Sequence, residues 1–299
     1  MNKEEIIRKE IRLIIRELGL LNYNCLNSEL TLAQAHILNY LKQNGTTSFN
    51  ELLMHLGIDK ASLSRILNNL ENKNFIEMKK SEMDKRMKVV DILPLGMETI
   101  IEGDYKANKY INEILTLGKE NNIDNITKSF REFRILALKN NLIKSCSRIV
   151  LEKVSSNYME DAINLAIDVF TNEQNIPESL VPIEEPLKPT WWCARVGEDI
   201  IGVVASWEEE GKFHFGRYAI DKRLRGIGIG KKLAIFSLKE IFNLGVEEIF
   251  SEGRDITVNM LKNFGCHITG EAMDFYGEPV TPITINRDDF MDACKKEKY

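Results

Sequence analysis

Apolar residues recur at Ile7, Ile11, Ile14, Leu18 and Leu21, with gaps alternating between four and three. That spacing lines up one narrow seam on a helix. Ile126, Phe130, Phe133 and Ala137 repeat it near the middle of the chain. Two core helices of a monomer, or a helical dimer seam, would both have this spacing. Between them, Thr31 with Gln34 forms a capping-box pair that opens a helix ending before Gly45. Ser48 with Glu51 opens a second, in which Phe49, Leu52, Leu53 and Leu56 share a face, and Gly57 stops it. Asp59 caps a third, with Leu63, Ile66, Leu67 and Leu70 as a single stripe. Two short helices joined by a tight glycine-containing turn form a helix-turn-helix pattern. Phe75–Lys80 and Arg86–Leu93 then read as the strands of a hairpin around a polar turn, Ser81 to Lys85.

From residue 149 the pattern changes to β-branched and aromatic runs alternating with helical periods. Strands are predicted at 149–154, 190–196, 200–208, 212–220 and 246–251, and helices at 158–171, 228–243 and 255–264. Pro177, Pro182, Pro186 and Pro189 mark an extended loop. The boundary falls near Lys139–Arg148. The prediction is a multidomain chain: a mainly α winged helix-turn-helix domain over 1–145, then an α/β domain with a mixed central sheet over 149–290.

Composition adds limits. Hydrophobic residues make up 43% and charged residues 28% of 299, which suits globular domains and not a disordered chain. The chain shows no bilayer-length apolar run and no signal-peptide pattern at its start, so a cytoplasmic protein without membrane partners is expected. Cys25, Cys146, Cys193, Cys266 and Cys294, and His36, His55, His214 and His267, lack metal-ligand spacing; no metal is expected. The net charge of −5 is unevenly divided. Residues 1–148 carry 23 lysines and arginines against 19 acids, and residues 149–299 carry 17 against 26. The two halves therefore suit different partners.

The outward face of the third helix carries Lys60, Ser62, Ser64, Arg65, Asn68 and Asn69, with no acid between Asp59 and Glu71. These side chains suit phosphates and base edges, although an ordinary solvated face is a close alternative. The hairpin adds Lys79, Lys80, Lys85, Arg86 and Lys88, enough to neutralise several phosphates. Asp84 stands beside Arg86. Helix order, helix-turn-helix, hairpin and the stretch from Asp84-Lys85-Arg86 through Val90, Leu93 and Gly96 resemble the MarR family of winged-helix regulators. Leu93-Pro94 replaces the family's usual Leu-Thr, a change confined to the cap of the next helix. The resemblance implies a homodimer, formed by the first and last helices, on a double-stranded DNA operator.

Arg225-Gly226-Ile227-Gly228-Ile229-Gly230, followed by Lys231 and Lys232, lies between a strand and a helix. Close glycines let backbone N–H groups converge, and the helix N-terminus behind them favours a pyrophosphate. The spacing fits neither a dinucleotide fingerprint nor a P-loop. In this setting Arg-x-x-Gly-x-Gly, with Arg217-Tyr218-Ala219-Ile220-Asp221 before it, resembles the GNAT acetyltransferases. Val169-Phe170 with Glu173-Gln174, and Gly270-Glu271 leading to Pro282-Ile283-Thr284-Ile285, resemble the ElaA-like branch. The resemblance implies acetyl-CoA as co-substrate or ligand. Arg225, Gly226, Ile227, Gly228, Ile229, Gly230 and Lys231 would hold its pyrophosphate. Tyr218, Ala219 and Ile220 would pair with the pantetheine arm, and a strand bulge would aim an N–H at the thioester carbonyl. An amine acceptor would attack directly, without an acyl-enzyme.

Leu261 stands where that family usually has a proton-donating tyrosine. Tyr276 or Cys266 would then serve, or the thiolate leaves unassisted, or the domain binds without catalysing. Candidate bases are Glu173, His214 and Glu252; Glu173 also reads as a solvated loop acid and His214 as a packed strand residue. Trp191 and Trp192 should face opposite sides of a strand, one in the core and one capping the sheet, or forming an aromatic wall for an amine. Glu208-Glu209-Glu210 reads as an exposed turn, or as an attractor of cationic substrates. The readings are a regulator fused to an N-acetyltransferase, a regulator with a silent acetyl-CoA sensor, and an acetyltransferase whose first domain only dimerises it.

Overall fold

The computed structural model describes residues 2–21, 26, 28–82 and 84–296. Met1, Cys25 and the turn residue Met83 lie outside the described residues, as does the Cys146 side chain. The chain divides into two compact units, Met1–Arg134 and Ile135–Tyr299.

Unit 1 begins with α1 (Lys3–Glu17), capped reciprocally by Asn2 and Glu5. No residue of α1 is buried; Ile7 and Ile11 of the seam are 45% and 38% exposed. α2 (Leu32–Asn44) has the expected Thr31–Gln34 capping box and ends at Gly45. β1 (Thr47–Ser48) leads into α3 (Phe49–Leu56), where Ser48 accepts from the Glu51 N–H and Gly57 closes in the left-handed region. The Glu51 carboxylate accepts from the Tyr40 hydroxyl at 2.7 Å, tying α3 to α2. α4 (Lys60–Asn72) starts at Asp59 and buries Leu63, Leu67 and Leu70. β2 (Ile76–Lys80) and β3 (Lys88–Ile92) form the hairpin. β1 pairs with β3 through Thr47↔Val90 and Ser48↔Val89, so the sheet has a third strand that periodicity did not reveal. Two residues are too few to alternate. α5 (Pro94–Leu115) opens with Pro94 at its first turn and no side-chain cap at Leu93.

α6 (Glu120–Lys144) runs past the unit boundary. Ile126, Phe130 and Phe133 are 46%, 56% and 45% exposed, whereas Ile135, Leu138 and Leu142 are buried with the core of unit 2. The division at Arg134 therefore falls inside this helix, ahead of the boundary expected near Lys139–Arg148. Burial of those three side chains moves it.

Unit 2 continues with β4 (Val150–Lys153) and α7 (Met159–Gln174). The proline segment holds short 3₁₀ turns at Glu178–Leu180 and Glu185–Leu187. β5 (Thr190–Val196), β6 (Asp199–Glu209) and β7 (Lys212–Ile220) form an antiparallel meander. Its last turn, Glu210-Gly211, has φ of 51° and 75°, the geometry of a two-residue hairpin turn. α8 (Ile229–Asn243), β8 (Glu248–Gly253) and α9 (Asp255–Lys262) follow. β9 (Cys266–Ile268), β10 (Met273–Phe275), β11 (Glu278–Asn286) and α10 (Arg287–Lys296) complete it; periodicity had not marked these four. The sheet order is β10-β11-β8-β7-β6-β5-β4, with β9 also on β11. Only β7–β8 is parallel among the described pairs, which makes the sheet mixed.

One face of this sheet packs α8, α9, α10 and the end of α6; the other packs α7. Trp192 belongs to the first core and Trp191 to the second, and both are buried. Each therefore packs in a core, and neither lines the cleft described below. Burial pushes the Cys193 thiol up to about 12, so it stays protonated. Arg195 is also buried. Its guanidinium meets Glu152 at 2.6 Å and lies over the Tyr158 ring. Removing Glu152 leaves the guanidinium its bond to the Gly197 carbonyl at 2.9 Å but takes away the carboxylate that balances its charge. Glu152→Ala is expected to destabilise unit 2 by about 3 kcal/mol, read by thermal unfolding. A loss indistinguishable from zero would mean that water solvates Arg195.

Candidate functional site

In unit 1, α3, the turn at Gly57 and α4 form the helix-turn-helix, and β2–β3 follows as a wing. Lys60, Arg65, Asn68 and Asn69 are exposed on α4, with Ser62 and Ser64 half-buried. Some of these groups already have partners. The Ser62 hydroxyl donates to Asp59 at 2.7 Å, completing the helix cap. The Asn69 amide oxygen accepts from the buried Gln34 at 2.7 Å, which fixes α4 against α2. Arg65 bonds only loosely to the Ala61 carbonyl, at 3.3 Å. On the wing, Lys79 pairs with Asp91 at 2.6 Å; that hydrogen bond raises its pKa and engages the ammonium within the wing. Lys80, Lys85 and Lys88 are exposed. Arg86 is 91% exposed and held by both oxygens of Asp84 at 3.0 Å. That pair presents the guanidinium at the tip in one orientation.

In unit 2 the central feature is a parting of strands. β7 and β8 pair at Phe213↔Ile249 and His214↔Phe250 and at no later described position. Beyond that point β7 keeps β6 on one side and leaves its other edge open. A bulge interrupts the same stretch: Gly216 pairs with Ala205 and Ala219 with Val203, so Arg217 and Tyr218 together oppose Val204. Arg217 sits at φ 54°. Its guanidinium donates to the carbonyls of Val181 and Leu180 at 2.6 and 3.0 Å and lies over the Trp207 ring. The bulge thereby anchors the proline segment.

The opening between the strands is a cleft of about 520 Å³. Trp207, Glu209, His214, Arg217, Tyr218 and Glu252 are among the residues that line it. His214 stacks on Trp207, with ring centroids 5.4 Å apart. Glu252 is exposed on β8. Arg254 borders the cleft, bound to Gln174 at 2.8 Å and Glu278 at 2.6 Å. Phe275 lines the cleft while its neighbour Tyr276 stands at φ 54° in the following turn. Cys266 is buried, and burial raises its pKa. Trp207 and Arg254 escaped the sequence reading, which named Arg217 only as part of the strand motif. Only the cross-strand pairing of Trp207 with His214 could have signalled the first.

The glycine turn lies beside the open edge of β7. Gly226 and Gly228 have φ of 86° and 82°, and α8 begins at Ile229. A Cβ built on either glycine would meet no heavy atom within 4 Å. The glycines therefore face open space against a helix N-terminus, a fit for a pyrophosphate cradle. Ala219 and Ile229 bury their side chains, so only their backbones can serve a ligand. Arg225 does not offer a free cation. Its guanidinium takes both Glu173 oxygens at 2.7 and 3.0 Å and the Ile220 carbonyl at 3.0 Å. Glu173 is thus a loop support whose carboxylate is already engaged. Lys139 of α6 donates to the Arg225 carbonyl at 3.1 Å. Lys231 lies 5.4 Å over the Phe264 ring.

A helix-turn-helix with a basic wing, joined to a bulged, splayed sheet with a glycine turn, defines a regulator-like domain fused to an acyltransferase-like one. Residues 30–88 match the MarR family, and residues 159–265 match the acetyltransferase (GNAT) family. The chain is therefore a MarR-type domain fused to a GNAT-type domain. No curated protein matches its sequence. Among solved structures, ElaA of Escherichia coli is 15% identical, over 46% of this chain and 99% of its own, with a TM-score of 0.41. BpsR of Bordetella bronchiseptica is 18% identical, over 44% and 98%, with a TM-score of 0.37. The PcaV transcriptional regulator of Streptomyces coelicolor is 14% identical, over 46% and 98%, with a TM-score of 0.39. No helix among the described residues is long and apolar enough to cross a membrane.

Proposed function

We propose that the chain is a cytoplasmic, homodimeric DNA-binding regulator whose second domain transfers acetyl from acetyl-CoA to an amine. The observation that carries the transfer half is the parting of β7 from β8 at a bulge, beside an open glycine cradle. Gly226, Gly228 and Gly230, with the first turn of α8, would hold the pyrophosphate. The free edge of Tyr218, Ala219 and Ile220 would pair with the pantetheine arm. Acetyl-CoA supplies an activated thioester. The bulge would turn an N–H away from β6 to stabilise the oxyanion as the amine attacks. Glu252 and His214 line the cleft and stand as candidate bases, ahead of Glu173, which Arg225 already occupies. Trp207, Phe250 and Phe275 line the cleft and would give the acceptor an apolar surface.

On the regulator side, Lys60, Ser64, Arg65 and Asn68 would face the major groove. Lys80, Lys85, Arg86 and Lys88 would meet phosphates. The exposed seams of α1 and α6 would close the dimer on a palindromic operator. Operators selected from random duplex DNA test this half. Arg65→Ala should cost about 1–3 kcal/mol on the selected site and relax one base preference. Arg86→Ala should weaken all duplexes alike and lower the salt slope by about one. Unchanged affinity in both would remove specific DNA binding.

The sensor alternative has one observation in its favour. Lys139 lies on α6, whose earlier turns belong to unit 1, and it holds the Arg225 carbonyl of the glycine turn. Occupancy of that turn would then bias α6. Operator affinity that stays constant up to saturating acetyl-CoA would dismiss this reading, because coupling is reciprocal.

A further inference from the structure

The cleft of unit 2 holds an arrangement that selects among acceptor amines. Three ring-bearing residues stand level with one another on neighbouring strands. Trp207 of β6 pairs with His214 of β7, and His214 with Phe250 of β8. All three project to the face of the sheet that packs α7. Ala205, two residues before Trp207, lies in that core, and Ile249, next to Phe250, lies in the other. The Trp207 and His214 rings stack with centroids 5.4 Å apart and planes 14° apart, and the Phe250 centroid lies 6.3 Å from His214. Resting on the acyl-transfer reading, we propose that the acceptor is an arylalkylamine, a primary amine joined by a short alkyl linker to an aromatic ring, and that this row of rings receives the aryl group.

The row is held in shape from several sides. Trp207 lies over Gly216, where a Cβ would stand 2.9 Å from the indole. Its N–H donates to Glu209 at 3.1 Å, and the Arg217 guanidinium lies 5.6 Å from its ring centroid. At the other end Lys212 lies 5.1 Å over the Phe250 ring. Each end of the row thus already holds a cation, and what it offers a ligand is apolar, π-rich surface. The place for the ligand's ammonium is Glu252. Two residues beyond the last β7–β8 pair stand Gly216 on one strand and Glu252 on the other, so Glu252 faces the bulge across the opening. It shares the face of Phe250. Glu252 is exposed in the cleft, and no ion pair among the described residues engages its carboxylate. It lies two residues, about 7 Å, along the strand from Phe250, a separation that a two- or three-carbon linker bridges. An amine held there stands at the level of the bulge, where the thioester carbonyl would bind, with its ring on the row.

The experiment uses the full chain with acetyl-CoA and four acceptors: phenethylamine, tryptamine, hexylamine and spermidine. Free thiol is one readout and tryptophan emission, with phenethylamine and hexylamine, is the other. Of the three tryptophans, Trp191 and Trp192 are 4% and 2% exposed, so a change on adding amine reports on Trp207. The expected result is a kcat/KM for phenethylamine at least about 10-fold above that for hexylamine, with emission changed by phenethylamine and not by hexylamine. Trp207→Leu should abolish both the preference and the emission change, chiefly through KM. Gly216→Ala keeps the indole but displaces it, and should reduce the preference without abolishing it. Equal kcat/KM for the two amines in the wild type would overturn the inference and leave the transferase intact. A preference that survives Trp207→Leu would place the aryl group elsewhere, and also overturn it. An emission change with phenethylamine but no thiol release from any amine would remove the transferase reading while keeping the row as an aromatic-amine site. Neither emission change nor release would remove both.

Discussion

Gly228→Glu is expected to lower acetyl-CoA affinity by at least about 100-fold, or 2.7 kcal/mol. Two effects combine at this position. The residue sits at φ 82°, where a side chain costs about 1–2 kcal/mol. The new carboxylate would also project into the space that two phosphates need, at a helix N-terminus. Because a Cβ there meets nothing within 4 Å, the variant has no steric reason to unfold. Its melting temperature should fall by only a few degrees, and operator binding by unit 1 should survive. Gly226→Ala shares the strain without the charge and should lose only about tenfold. Calorimetric titration of both variants checks the pair. Equal losses would mean that backbone conformation, and not charge, governs the cradle.

The second large effect concerns unit 1. Gly96 lies in the first turn of α5, and a Cβ built there would stand 2.1 Å from the Phe75 carbonyl oxygen. That oxygen already accepts from the Leu93 N–H at 2.9 Å, joining the end of the wing to the start of β2. The obstacle is backbone and cannot rotate away. Gly96→Ala should therefore cost at least about 3 kcal/mol, and displace the wing from α4. Gly103, seven residues further along α5, is the internal control. A Cβ there meets Ser28 Cβ at 3.6 Å, an ordinary contact. Gly103→Ala should be neutral or stabilising by up to about 1 kcal/mol. Chemical denaturation of the two variants should give opposite signs. Equal behaviour would mean that unit 1 packs differently around α5.

Much of the architecture was legible because the local signals agreed with the tertiary outcome. Thr31, Ser48 and Asp59 each cap the helix they announce, and the glycine turn opens α8 where its spacing placed it. The strand set from β4 to β8 emerged from β-branched and aromatic runs. β9 and β10 did not, since three-residue strands show no period and take their order from β11. The end of α6 reads as one polar helix. Its transfer to the second core rests on Ile135, Leu138 and Leu142, which the heptad-like spacing of Ile126, Phe130 and Phe133 masks.

The sites divide in the same way. Backbone features were within reach: the spacing of the glycines marked the turn that holds two of them at positive φ, and the family resemblance implied the bulge in the expected strand. Side-chain roles were not, because they depend on partners far along the chain. Glu173 is held by Arg225, Asn69 by Gln34 and Lys79 by Asp91. Each looks like a free functional group in one dimension. Arg217 shows the converse. Its work, anchoring Leu180 and Val181 across the bulge, has no local signature.

The most direct test of the central claim, that unit 2 transfers acetyl groups, is free-thiol release by the purified full chain. Acetyl-CoA would be supplied with a panel of primary amines, beside an amine-free blank and the Gly228→Glu variant. The account predicts saturable release with at least one amine, absent from both controls. Tight acetyl-CoA binding with no amine-dependent release would contradict it, and would leave a regulator whose second domain only senses the thioester.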